Sequence, residues 1–290
     1  MKKIAQLSVF ITFITISLWY GVKWIQYDDK FKIKHIVLMS KVTQQNKDTL
    51  LQVTRSNLNG NFFSLDINKL RTAIESLPWI KEVSIRKVWS NSIQIRLKEK
   101  QVSARWVNIE NLNNKSPAGS WDKHSLLSKT GEIFTPELDS AQQAQYSQFS
   151  LFSGPENLAG TMVSKCSKVS EVLATIKYSL SNCILDQRRA WTLSILPQQM
   201  KANDEKQMIH LVLGKSETNE LRHLLQTKKE ESSELSKHKI VKKVQLFVSL
   251  YKQVLYKYKN NINRIDMRYT NGFAIAWKED YQSNHIQGNT

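Results

Sequence analysis

Cysteine is scarce: Cys166 and Cys183 are the only two in 290 residues. That is too few for a disulfide-stapled scaffold, and a chain of this length buries a sizeable core without staples. Placed on one helix the two would stand about 25 Å apart, whereas a bridge needs Cα atoms within about 7 Å. Two unpaired thiols are therefore expected. The six histidines are scattered, with no HxxxH pair and no cysteine near them at metal-ligand spacing, which removes the common zinc patterns. Glycine-rich phosphate loops are missing, and Ser153-Gly154 lacks the G-x-S-x-G elbow of a serine nucleophile. Paired carboxylates such as Glu230-Glu231 fall in a polar run where solvation explains them better than acid-base work. No catalytic residue, metal site, cofactor or small-molecule substrate is assigned, and the chain is read as a non-enzyme.

Acidic residues are also in the minority, 25 against 42 Lys and Arg, for a formal charge of +17. Such an excess suits nucleic acid, anionic lipid or an acidic protein, so the compartment has to be settled first. Ile4 to Val22 settles it, being 19 residues without a charge; at 1.5 Å per residue a helix there is about 28 Å long, close to the hydrocarbon thickness of a bilayer. Trp19, Tyr20 and Trp24 stand at its far end like an interfacial aromatic belt. The stretch is longer than a signal-peptide core and no small-x-small cleavage site follows, so an uncleaved signal anchor is expected over 4–24. Residues 1–3 then form a cytoplasmic tail and everything beyond the anchor is exported. An exported compartment holds no chromosomal DNA, which sets nucleic acid aside. Residues 31 to 105 carry 14 Lys and Arg against 5 Asp and Glu. This membrane-proximal charge has two open readings, attraction to anionic headgroups and a solvated surface.

Beyond the anchor, hydropathy alternates in short blocks. Lys32 to Met39 reads as a strand apolar on nearly both faces. Asn46 to Leu58 reads as a helix stopped at Gly60, Phe62-Phe63 as a core plug, and Asp66 to Ser76 as a helix with Ile67, Leu70 and Ile74 on one stripe. Pro78 ends it. In Leu77 to Lys100, Val83 and Ile85 alternate with charged or polar residues, as do Ile93, Ile95 and Leu97, on either side of a Ser90-Asn91 turn. That is a hairpin with one apolar and one cationic face. Trp79 and Phe63 are read as core.

The run GNFFSLDINKLRTAIESLPWIKEVSIRKVWSNSIQIRLKEKQVSARW resembles the POTRA module of the FtsQ/DivIB family of bacterial cell-division proteins, down to the Leu-Pro-Trp and the closing Ala104-Arg105-Trp106. Trp121 to Phe134 and Leu151 to Leu158 resemble the entry to that family's second domain. In that domain the sequence predicts a helix over 163–180, a strand pair at 188–195 and 208–214, and a helix over 244–258. Lys201 to Gln207 and Thr227 to Lys243 read as lengthened, solvated loops. Ile265-Asp266-x-Arg268-Tyr269-x-Asn271-Gly272-Phe273-Ala274-x-x-Trp277 resembles the family's C-terminal strands.

The resemblance implies an α+β chain: a single N-terminal transmembrane helix, a POTRA domain (βααββ) over 32–102, a β-rich domain with an antiparallel sheet and flanking helices over 103–280, and a tail over 281–290. It further implies an assembly factor of the division septum in the inner membrane, single-pass with its bulk periplasmic. Its partners would be FtsB and FtsL, single-span coiled-coil proteins, and other membrane proteins of the division machinery. Candidate partner-binding residues are Arg188, Arg189, Arg268, Tyr269, Asn271, Gly272 and Trp277. For Tyr269 and Trp277, interface and core readings are both open. The rival reading is a POTRA-bearing component of outer-membrane assembly or secretion, which should show several POTRA repeats or a membrane barrel.

Overall fold

Residues 10–21, 31–108, 125–199, 207–215, 229–269 and 272–278 are described by a computed structural model. The chain divides into two units, Met1–Lys100 and Gln101–Thr290.

In the first unit, helix α1 covers residues 10–21. Among the described residues no helix is long and apolar enough to cross a membrane. The expected anchor extends at both ends outside the described residues. From Phe31 onward the order is β1 (His35–Leu38), α2 (Lys47–Ser56), α3 (Ile67–Glu75), β2 (Ile80–Val88) and β3 (Ser92–Glu99). Both helices start where a side chain takes the free backbone donors of the first turn. The Asn46 amide oxygen accepts from Asp48 N at 2.8 Å, and an Asp66 carboxylate oxygen accepts from Asn68 N at 2.9 Å. The sheet order is β1-β3-β2, with β2 antiparallel and β1 parallel to β3. Val83 faces Leu97 and Ile85 faces Ile95 across the hairpin, and these side chains close over Leu70 and Ile74 of α3 and Leu50 of α2.

Two readings of this unit change. β1 is a half-exposed strand, because only one of its faces lies on the helices. Phe62-Phe63 does not plug the core: Phe63 is 46% exposed, and Leu65 occupies the buried position instead. Trp79 is buried, as expected.

The second unit holds a nine-stranded sheet, ordered β12-β11-β10-β9-β8-β7-β4-β5-β6. Its strands are β4 (Val102–Val107), β5 (Ser125–Ser128), β6 (Ile133–Phe134), β7 (Leu151–Ser153), β8 (Tyr178–Leu185), β9 (Ala190–Pro197), β10 (Ile209–Lys215), β11 (Ile262–Asp266) and β12 (Ala274–Trp277). The helices are α4 (Ser140–Ser147), α5 (Ala159–Ala174) and α6 (Lys229–Gln253). The sheet is mixed, not antiparallel as expected. β7 pairs parallel with β8, and β10 with β11. In each case a long helix, α5 or α6, returns the chain to the end from which it started, as a parallel crossover requires. α5 and α6 pack together over the sheet, with Val163, Val169 and Leu173 of one and Val244, Phe247 and Tyr251 of the other in a single core.

Helix α5 stops at Ala174, so Leu180 belongs to β8 and not to the helix as predicted. The cysteine expectation falls with it. Cys166 on α5 and Cys183 on β8 face each other in the core and are joined by a disulfide, their Cα atoms 7.1 Å apart. The polar insert expected over Thr227–Lys243 is also different, since from Lys229 it forms the first half of α6.

Candidate functional site

The last two strands bring the site together. β11 lies parallel to β10 inside the sheet, and β12 pairs antiparallel with β11, Ile265 opposite Ile275 and Asp266 opposite Ala274. Strand β12 has no partner on its outer side among the described strands. Its residues alternate: Ala274 and Ala276 are exposed, while Ile275 and Trp277 pack against the core. An edge of this kind presents a row of backbone donors and acceptors to an incoming strand.

Beside the start of β12 opens a cavity of about 800 Å³. Arg188 from the β8–β9 turn, Lys215 from β10 and Arg268 just after β11 line it, with Lys239, Lys242 and Lys243 from α6; among the described residues Asp186 is the one carboxylate in the lining. Leu246, Leu250, Met267, Tyr269 and Phe273 supply its apolar wall. A pocket lined by both cations and apolar side chains suits an acidic segment carrying a large hydrophobic side chain.

Local hydrogen bonds shape the surroundings of Arg188, Arg268 and Lys243. In the turn between β8 and β9, the Asp186 carboxylate accepts from Ala190 N at 2.7 Å and Arg189 donates its N–H to Asp186 O at 2.9 Å. This sets Arg188 at the cavity and leaves Arg189 at φ 61°, outside its lining. Arg268 donates to Asp266 through Nε and Nη2 at 2.9 and 2.6 Å. The hydrogen bond from Arg268 is the main reason that the Asp266 carboxyl is held below its ordinary range. Gly214, at φ 69°, sits where β10 bulges, and a Cβ there would press on Arg268 Cγ at 3.0 Å. Glycine therefore allows the guanidinium stem its path. Lys243 reaches from α6 to the carbonyls of Leu213 and Met267, at 2.5 and 2.8 Å. Burial, and then repulsion from Lys239, hold its amine below the ordinary lysine value.

Four of the predicted residues therefore meet: Arg188, Arg268, Tyr269 and Gly272 all line the cavity, and Tyr269 is 60% exposed. Arg189 shares the turn but not the lining. Trp277 lies at the far end of β12, half-buried and edge-on to Tyr258 with ring centroids 5.7 Å apart. Asn271 lies outside the described residues. The sequence reading missed Lys239, Lys242 and Lys243. Their spacing of three and four on one helix face was the available signal, hidden by assigning that stretch to a loop. Among the described residues, no group of His, Cys, Asp or Glu side chains gathers to hold a metal ion.

Comparison with known proteins decides the lineage. Residues 31–100 match the FtsQ-type POTRA domain, and residues 119–268 match the C-terminal region of the cell division protein FtsQ/DivIB. The chain belongs to the FtsQ/DivIB family. Among its relatives, each called cell division protein FtsQ, that of Escherichia coli is 25% identical over 274 residues, covering 92% of this chain and 80% of that one. The Aliivibrio fischeri protein is 23% identical, covering 94% and 88%. That of Coxiella burnetii is 25% identical, covering 79% and 73%. This member of the family is a cell-division protein with a POTRA domain ahead of a mixed α/β unit built on one large sheet.

Proposed function

We propose that the chain is a bitopic inner-membrane protein, anchored through Ile4–Val22 with its bulk exported, that works without catalysis as an assembly factor of the division septum. It bridges other membrane proteins of the division machinery and takes the FtsB–FtsL pair on its C-terminal unit. The observation that carries this reading is the convergence of Arg188, Arg268 and Tyr269 with the α6 lysines on a cavity beside the β12 edge. An incoming segment gains main-chain hydrogen bonds by adding a strand to β12, and its carboxylates meet the cations that this edge sits beside.

Capture of an FtsB-like partner by the full chain in detergent tests the reading. Tyr269→Ala removes an exposed aromatic anchor and should weaken capture at least about 30-fold, the scale of a binding hot spot of ~2 kcal/mol. Arg268→Glu places a carboxylate against the partner's own and should abolish capture. Normal binding by both variants would put the docking edge elsewhere.

A further inference from the structure

A second exposed cluster lies at one end of the POTRA module, far in sequence from the cavity. Phe31, Phe62, Phe63 and Trp89 come from three separate segments, and their rings touch: Phe31 to Phe63 at 5.2 Å between centroids, Phe62 to Trp89 at 5.4 Å, and Phe63 to Trp89 at 6.1 Å. None belongs to the module's core. Trp89 is 66% exposed and Phe63 46%. Two exposed rings, Phe63 and Trp89, backed by the half-buried Phe31 and Phe62, form an apolar patch of the kind that marks an interaction surface.

The loop carrying two of them is pinned by local hydrogen bonds. The buried Asn61 amide oxygen accepts from Phe63 N at 3.0 Å and Ser64 N at 3.1 Å, while Phe62 donates its N–H to Phe31 O at 2.8 Å. Gly60, at φ 96°, starts this turn, and a Cβ on it would collide with Ser64 Oγ. Three backbone donors of this turn, at Phe62, Phe63 and Ser64, are thus satisfied within the protein. Cations surround the rings: Lys32 and Lys34 are exposed, and Lys87 lies over the Phe62 ring at 5.8 Å from its centroid. Aromatic rings flanked by lysine are the composition of a membrane-water boundary.

Chain length supplies the occupant. Phe31 is where the chain enters the module, with nine residues between it and helix α1. Fully extended, residues 22–30 reach at most about 32 Å, so the tip cannot stray far from the surface holding the anchor. Resting on the membrane-anchored reading above, we infer that this aromatic tip seats in the headgroup layer of the same bilayer. It would hold the module down on the anionic surface.

The test uses the full chain reconstituted in vesicles of phosphatidylethanolamine and phosphatidylglycerol, with and without lipids brominated high on the acyl chain. Brominated lipids should quench a component of tryptophan emission that Trp89→Phe removes. Phe63→Asp, an exposed change, should abolish the Trp89 component while thermal stability and flotation with the vesicles are kept. A chain that floats but loses the same absolute emission to the brominated lipid with and without Trp89 overturns the inference, leaves the anchor standing and assigns the tip to a soluble partner. A chain that fails to float overturns the anchor and this inference with it.

Discussion

Glu99 closes β3 against the loop that precedes α2. Its carboxylate accepts from Gln44 N, Gln45 N, Thr43 N and Thr43 Oγ1, at 2.9, 2.8, 3.0 and 2.8 Å. Burial alone would push this carboxyl up, but the donors of Gln45, Thr43 and Gln44 outweigh it and hold it below the ordinary range. A carboxyl lowered in the folded state stabilises above its unfolded pKa, and the gain is lost as pH falls through the folded one. Glu99→Gln should therefore cost about 1–3 kcal/mol at neutral pH. The difference should shrink toward zero as urea unfolding is repeated at acid pH. Val83 and Arg86 separate the hairpin's two faces. Val83→Asp buries an unpaired carboxylate opposite Leu97 and should cost about 3–5 kcal/mol. Arg86→Ala, on the exposed face, should stay within about 0.5 kcal/mol. Equal losses in thermal melts would reverse the assignment of the faces.

At the scale of elements, β12 separates stability from binding. Trp277→Ala removes a half-buried ring packed on Tyr258 and the core, and should cost ~2 kcal/mol of stability. Tyr269→Ala should leave the melting temperature within a few degrees, since that ring is largely exposed. A calorimetric scan of both variants checks this, and a large loss for Tyr269→Ala would return it to the core. The hairpin of β2 and β3 was legible because Val83, Ile85, Ile93, Ile95 and Leu97 keep a strict period of two, and α2 and α3 because Gly60 and Pro78 mark their stops and Ile67, Leu70 and Ile74 share one stripe. The parallel pairs were not legible. A strand such as Leu151–Ser153 carries three residues and no sign of its neighbour, and its pairing with β8 depends on how α5 packs. The same non-local fact hid the pairing of Cys166 with Cys183, because nothing local shows that β8 packs its Cys183 against the buried face of α5. At the site, Arg268 and Tyr269 were found through their motif. The lysines of α6 were lost because a run rich in Lys, Glu and Ser has little apolar periodicity until Ile240 and Val241 reach the core.

On the scale of the whole molecule, the proposed function needs an N-terminal anchor, a cationic POTRA module and a docking unit on one exported chain. Protease added to spheroplasts should digest everything beyond the anchor, and the digested part should carry Cys166 and Cys183 in oxidised form. A protected chain with both thiols free would contradict export. The central claim is that the cavity beside β12 receives the FtsB-like partner, and photocrosslinking in dividing cells tests it most directly. A photoreactive phenylalanine placed at Tyr269 should capture that partner, whereas the same group at Thr135, next to the opposite edge strand β6, should not. Capture of the partner from Thr135 and none from Tyr269, in chains that both localise and fold, would contradict the account.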